Sequence, residues 1–382
     1  MSAVLEERRA PVEQDQATPM LLTVSALADG PLREAADAID RGTYPRAVMQ
    51  ALGAAGAYRA HIGPGAAAGD YASAIRASAE VSRVCGATGF MVWCQQVCGL
   101  YLQQSGNPAL TGNCLQQHIS GARLGGTGMS NPMKAYAGIE PLLLKATPCP
   151  GGYRVNGTLP WVSNLGADHY AGVLAGVQGL PDGESREVMF LLRCDAPGVE
   201  LRNCPSFSAM EGTNTWALRL TDHFIGADEI IADPAKPWIA RIRAGFILLQ
   251  CGFGLGVTQG AIDSMWAVEP ALGHVNQFLD DRPDELQSEL QALWERVEAL
   301  ALTPFASEKD YFIDVLDARA HASELALRAA QSALLHAGAR GYLLSSDVQR
   351  RVRESHFVAI VSPAIKHLRK EIARLSAPEM PA

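Results

Sequence analysis

Strand-type alternation is confined to one stretch of this chain, and helical periodicity occupies both sides of it. In GGYRVNGTLPWVS, the apolar Tyr153, Val155, Leu159 and Trp161 alternate with Arg154, Asn156, Thr158 and Pro160, the period-two pattern of a half-buried strand. Asn156-Gly157 in its middle predicts a tight hairpin turn. REVMFLLRC and TNTWALRLTDHFI read as further strands. The residues before this stretch are rich in Ala and other helix formers, with apolar clusters in AVMQALGAAGAY and TGFMVWCQQVCGLYL. Beyond it, Leu286, Leu290, Leu293, Val297 and Leu300 form an apolar stripe, and long helices are predicted over 311–336 and 346–375. The pattern gives an α+β chain in order: a polar tail at 1–20, a helical domain at 21–121, a β-domain at 122–235 and a second helical domain at 236–382.

A chain of 382 residues with 48% apolar and 19% charged residues can bury a large core. Its net charge of -8 disfavours nucleic acid or an anionic membrane as partner, since both reward a basic face. The opening segment carries Glu6, Glu7, Glu13 and Asp15 and has no apolar run of a signal peptide. The longest apolar stretch, from Ala244 to Val257, is interrupted by Gln250 and is too short to span a bilayer, so it is predicted to be a buried helix. The eight cysteines contain no CxxC pair. Cys94 and Cys98 share a helical face but lack further ligands nearby, which predicts buried thiols, no metal, no disulfide and a cytoplasmic setting.

Two other features invite functional readings that their context weakens. Gly252, Gly254 and Gly256 imitate a dinucleotide loop, but no strand precedes them, so they are read as sites where helices approach closely. Arg350, Arg351, Arg353, Lys366, Arg369, Lys370 and Arg374 make a basic run, read as a solvated helix face or an oligomer contact rather than a phosphate site.

Four segments resemble motifs of the acyl-CoA dehydrogenase family. GTGMSNP at 126–132 resembles its Thr-Glu-Pro segment, and PWVSN its Trp-x-Thr segment. FSAMEGTNTWALRLTDHFIGADEII is similar to the family's Gly-rich turn and following strand, and HAGARGYLLSSDVQRRVRES to its glycine turn and Arg-rich last helix. The resemblance implies a helical domain, a middle β-barrel and a C-terminal four-helix bundle enclosing FAD, with FMN as the alternative. It places Trp161 against the flavin, the Ser163 hydroxyl and Ser130 with the Met129 backbone at the ring edges, and Gly338 and Gly341 in the turn near the cofactor. The physical reason is that residues 161 and 163 of one strand share a face, so an indole and a hydroxyl can meet one flat ring. The competing reading makes Trp161 a core aromatic and Ser163 a strand end. The resemblance further implies a small-molecule substrate of acyl-CoA type and a homotetramer or homodimer. Apolar surface on the helix from Arg241 to Val268 points to the same self-association.

The resemblance departs where the reaction needs a base. The family's Glu falls at Ser362, followed by Pro363, and its alternative position falls at Phe246. Neither is a carboxylate, although removal of an α-proton requires a base in contact with the substrate. An Arg that holds the FAD diphosphate is absent around EPALGHVNQF, and a Gln that meets a neighbouring subunit's flavin falls at Leu335. Four readings stay open: a dehydrogenase with a moved base, for which Glu211 and Glu354 are candidates; a monooxygenase of the same fold using His356, His367 or Ser130; an elimination that needs no Glu; and a silent binding or assembly subunit.

Overall fold

The computed structural model describes residues 18–181 and 184–378, so the expected tail lies largely outside the described residues. Six helices come first: α1 (Pro19–Leu27), α2 (Arg33–Asp40), α3 (Arg46–Ala54), α4 (Tyr71–Val84), α5 (Gly86–Gln104) and α6 (Leu115–Ile119). The middle of the chain supplies β1 (Gly125–Thr127), α7 (Ser130–Tyr136), β2 (Lys145–Cys149), β3 (Gly152–Val162), β4 (Tyr170–Val177), β5 (Glu187–Arg193), β6 (Val199–Asn203), β7 (Trp216–Gly226) and β8 (Ile230–Ala232). Five helices close the chain: α8 (Ala235–Asn276), α9 (Pro283–Ala301), α10 (Lys309–Ala337), α11 (Asp347–Ile360) and α12 (Ile365–Ser376). Local signals explain several boundaries. Asp70 accepts the Ser73 amide at the start of α4, and Pro283 opens α9, where Glu285 reaches back to the Arg282 amide.

The strands form one sheet in the order β6-β7-β3-β2-β4-β5-β8, with β1 paired to β4. The middle unit is therefore an open sheet and not the β-barrel expected from the family resemblance. Its two ends explain why it stops. β6 pairs only with β7 and presents exposed Glu200, Arg202 and Asn203 along its length, which suits an unpaired edge. β8 has three residues before the chain turns at Pro234 into α8. β1 and β2 both pair in parallel with β4, at opposite ends of that strand, and α7 lies in the connection between them.

Asn156-Gly157 is not a hairpin turn. β3 runs through it unbroken, and the register against β7 shifts there instead, from Val155↔His223 to Gly157↔Leu220. The extra residue lies on β7, where Asp222 has φ +48° and donates its amide to the Asn156 side chain. A second bulge, between Leu159↔Leu218 and Val162↔Trp216, puts three residues of β3 against two of β7. The alternation reverses at that point: Leu159 and Val162 are buried, while Trp161 is 56% exposed.

Two hydrophobic cores result, one shared by the strands and one running through the helices. α8 is the axis of the helical core, buried from Ala244 through Thr258. It is long and apolar enough to cross a membrane by length and composition, but 94% of its most apolar window is buried inside the protein. Most of the apolar surface that pointed to self-association through this helix is therefore internal, with Trp266 left exposed. The three glycines on α8 act as close-approach positions. A Cβ at Gly252 would stand 2.5 Å from the Ile75 carbonyl oxygen, and one at Gly256 2.2 Å from that of Ala79, both on α4.

The single helix expected over 346–375 is two. α11 ends at Ile360 and α12 begins at Ile365, because Pro363 has no amide hydrogen and its ring collides with the preceding turn. Part of the basic run also departs from its solvated reading. Arg350 and Arg351 are buried and donate to the last carbonyls of α4, Val84 (3.1 Å) and Arg83 (2.7 Å). Glu354, one turn later, accepts the Gly86 amide at the start of α5. Cations meet a helix C-terminus and an anion meets a helix N-terminus, the pairing that helix dipoles favour. Lys366, Arg369, Lys370 and Arg374 are exposed on α12.

The α8–α4 contact carries a stability prediction. Gly256→Ala must push the two backbones apart or leave a methyl overpacked, and is expected to cost about 2 kcal/mol, read as a lower urea midpoint at unchanged denaturant slope.

Candidate functional site

The segment GGTGMSNP runs from β1 into α7. Its glycines admit close neighbours. A Cβ at Gly126 would lie 2.3 Å from the Ser163 carbonyl oxygen, and one at Gly128 2.9 Å from the Leu159 side chain. Met129 and Ser130 are thereby brought beside the end of β3. A narrow cleft of about 10 Å³ lies there, lined among others by Gly128, Ser130, Leu159, Pro160 and Trp161. Asn131, behind it, accepts the Leu143 amide and donates to Glu140 and the Pro141 carbonyl, while Lys134 pairs with Glu140. The one carboxylate on the cleft wall is thus already engaged.

The break between α11 and α12 reaches the same place. Ser362 Oγ stands 2.9 Å from Ser130 Oγ. The Ser362 carbonyl accepts from Gln250 Nε2 at 3.2 Å, and Gln250 Oε1 accepts from Arg319 Nε at 2.8 Å. Arginine only donates, so this contact fixes the orientation of the Gln250 amide. Arg319 has no exposed surface; its other donors meet Ser323 Oγ and the Val358 carbonyl. No carboxylate pairs with it among the described residues. Burial lowers its pKa to about 10, which still leaves it charged at neutral pH.

Aromatic side chains close the circuit. Phe246 lies one helical turn before Gln250 and stacks with Tyr101, their centroids 6.4 Å apart. Trp93 packs edge-on to Phe246 at 5.2 Å. The Tyr101 hydroxyl is 2.8 Å from Thr127 Oγ1, which also accepts the Met129 amide. Contacts therefore run from Ser130 through Ser362 to Gln250 and, one turn earlier on α8, from Phe246 through Tyr101 and Thr127 to Met129.

Ser163 sits beyond Gly126 and joins a second hydroxyl row, 2.6 Å from Thr215 Oγ1, itself 2.8 Å from Thr213 Oγ1. Asn164 follows in a left-handed conformation (φ +62°), donating to the Gly125 carbonyl and accepting from the Tyr44 hydroxyl. Gln95 accepts the Gly125 amide and donates to the His118 carbonyl. His118 in turn donates from Nε2 to the Gln95 carbonyl and accepts the Tyr170 hydroxyl at Nδ1, a fully bonded neutral imidazole.

Met129, Ser130 and Trp161 thus lie together, Ser163 lies alongside, and Ser362 joins them. The other sequence candidates are engaged elsewhere. Glu211 accepts the Phe207 amide. Glu354 is buried against Gly86 and Arg350, and burial raises its pKa. His356 is exposed on α11 and His367 is part-buried on α12. Gly338 and Gly341 form the turn that follows α10. Gln250 and Arg319 had no assigned role in the sequence, although a lone Gln inside an apolar run and an Arg among helical alanines were the available signals.

Trp161 supports a flat-ring site, because a large exposed indole beside paired hydroxyls has no aromatic partner among the described residues. The Ser130 and Ser163 hydroxyls fit the polar edges of an isoalloxazine. A diphosphate is served less well, since Arg282, beyond the end of α8, is bound to Glu269 at 2.6 Å.

Comparison with known proteins agrees with this architecture. Residues 15–122 match the family described as acyl-CoA dehydrogenase, N-terminal domain. The chain is 25% identical over 328 residues to the probable acyl-CoA dehydrogenase YngJ of Bacillus subtilis, covering 81% of this chain and 83% of that protein. The fold is similar to that of butyryl-CoA dehydrogenase from Megasphaera elsdenii, with a TM-score of 0.80, 18% identity and coverage of 93% and 96% of the two chains. Dibenzothiophene monooxygenase TdsC from Paenibacillus sp. A11-2 matches at a TM-score of 0.78 and 16% identity, over 94% and 96% of the chains.

The histidines near this region set a pH dependence. Burial lowers His61 and His118 to about 4 from an ordinary 6.5, so both stay neutral in the folded protein well below pH 6.5. The unfolded chain takes up protons first, so stability is full above pH 6.5 and is lost as pH falls toward 4. The urea midpoint is expected to drop between pH 7 and 5, and His118→Gln, less stable at pH 7, is expected to show a shallower drop.

Proposed function

We propose, for a chain that belongs to the acyl-CoA dehydrogenase superfamily of flavin oxidoreductases and their monooxygenase relatives, a flavin-dependent oxidoreductase whose cleft works without a carboxylate base. The flavin, FAD or FMN, would be held by Trp161 against its face and by Ser130, Ser163 and the Met129 backbone at its edges. When bound it supplies the redox chemistry, and the protein supplies orientation and electrostatics. Phe246, Trp93 and Tyr101 are buried and pack on one another. The observation that carries the reading is the Ser130–Ser362 hydroxyl pair. A serine hydroxyl cannot hold an α-proton at neutral pH, and a general base contributes about 10²- to 10⁴-fold. Oxidation of straight-chain acyl-CoA is therefore disfavoured, and an oxygen-consuming hydroxylation fits this cleft better. The alternative, an acyl-CoA dehydrogenase using another carboxylate, is supported by the similarity to YngJ. A silent assembly subunit is the further alternative.

Self-association in a dimer or tetramer forms part of the proposal, as does a cytoplasmic setting. Phe278, Leu335, Tyr342, Leu343 and Leu344 are all exposed, around the ends of α8 and α10 and the turn that follows.

Three measurements test these statements. The purified protein is expected to retain or take up one flavin per chain, with Trp161→Ala weakening binding about tenfold; no binding of FAD or FMN overturns the assignment. Butyryl-, octanoyl- and palmitoyl-CoA are expected to bleach the flavin slowly, whereas rapid bleaching would restore the dehydrogenase reading. Light scattering is expected to give a multiple of the chain mass.

A further inference from the structure

We infer that Arg319, acting through Gln250 on Ser362, is a positioning residue that makes the Ser130–Ser362 pair a donor site for a negatively charged or strongly polarised oxygen of the substrate, an enolate or phenolate. The inference rests on the functional reading above and identifies the substrate chemistry of the same cleft.

A buried guanidinium without a counter-ion is costly to place in a protein. Arg319 is fully buried, and its bonds go to neutral acceptors: Gln250, Ser323 and Val358. No carboxylate pairs with it among the described residues, and one of its three bonded directions leads to the cleft. Arg319 donates to Gln250 Oε1, Gln250 donates to the Ser362 carbonyl, and Ser362 Oγ meets Ser130 Oγ. The peptide after Ser362 ends on Pro363, which has no amide hydrogen, so donation at this point falls to side chains.

The hydroxyl pair has two protons. Where Ser130 donates to Ser362, its oxygen still accepts at the proposed flavin edge and the Ser362 proton is free for a ligand. The pair therefore offers one hydrogen bond into the cleft, backed by a fixed positive charge, while the carboxylate on the cleft wall, Glu140, is paired with Lys134. Preorganised donors of this kind stabilise negative charge that a ligand oxygen carries or develops. The site where a base would remove a proton is built here to receive the resulting anion.

Two probes report the ionisation of a bound oxygen. A fluorophenol followed by ¹⁹F NMR and acetoacetyl-CoA followed by its enolate absorbance are titrated against pH with the flavin-loaded protein. At least one is expected to bind with its pKa lowered by about one unit. Ser362→Ala and Gln250→Leu are expected to remove most of that shift while flavin binding stays intact. Gln250→Glu, which lets a carboxylate neutralise Arg319, is expected to remove it as well, with the fold retained by circular dichroism. Saturable binding with an unshifted or raised pKa overturns the inference, as does a shift that survives Ser362→Ala and Gln250→Leu, or no binding of either probe to protein that holds flavin. Absence of flavin binding itself counts against the earlier reading, so the two failures are distinguishable.

Discussion

The approach of α8 to α4 is the constraint on which the rest of the molecule depends. Gly252 and Gly256 let the two backbones come so close that a side chain carbon would collide with main-chain oxygens. Once α8 is seated there, Phe246 and Gln250 lie on the same side of it, one turn apart, where α5 and the break after α11 pass. The position of Phe246 and Gln250 is thus set by glycines further along the same helix. The sheet fixes the cleft by a different device, Gly126 in β1 and Gly128 just after it, which admit Ser163 and Leu159.

What the sequence made legible follows the range of the forces involved. The order of helical and strand-like segments and the stripe on α9 depend on local periodicity, and they are found where the pattern put them. The proximity of Met129, Ser130 and Trp161 was legible only through family likeness, because it is a contact between segments about thirty residues apart. The errors have one kind of origin. Whether a sheet closes depends on what its edge strands meet, and the exposed charges of β6, which suit an edge, do not by themselves say that the strand lies at one. Asn156-Gly157 has the composition of a turn, yet pairing of β3 with β7 on both sides of it overrides that preference. Pro363 was visible as a helix breaker, but helical periodicity on either side of it concealed the break.

Trp161 illustrates how a small irregularity can create a site. Strict alternation would bury the indole with Leu159, and the ring would be one more core aromatic. One extra residue between Leu159 and Val162 restores burial at Val162 and turns Trp161 outward. Gln250 and Arg319 show the converse, since polar residues inside apolar helical segments read as interruptions until their partners are known.

The division of labour along α11 has an evolutionary consequence. Arg350, Arg351 and Glu354 hold the α4–α5 junction from the first half of the helix, while Ser362 stands just past its end. Residues that hold the scaffold and the residue proposed to meet the ligand are encoded within about a dozen codons, yet they share no bond. Substitutions at position 362 can therefore be sampled without loosening the helices that carry it. A lineage built on this arrangement can exchange one chemistry for another by drift at the helix break, under little selection from folding.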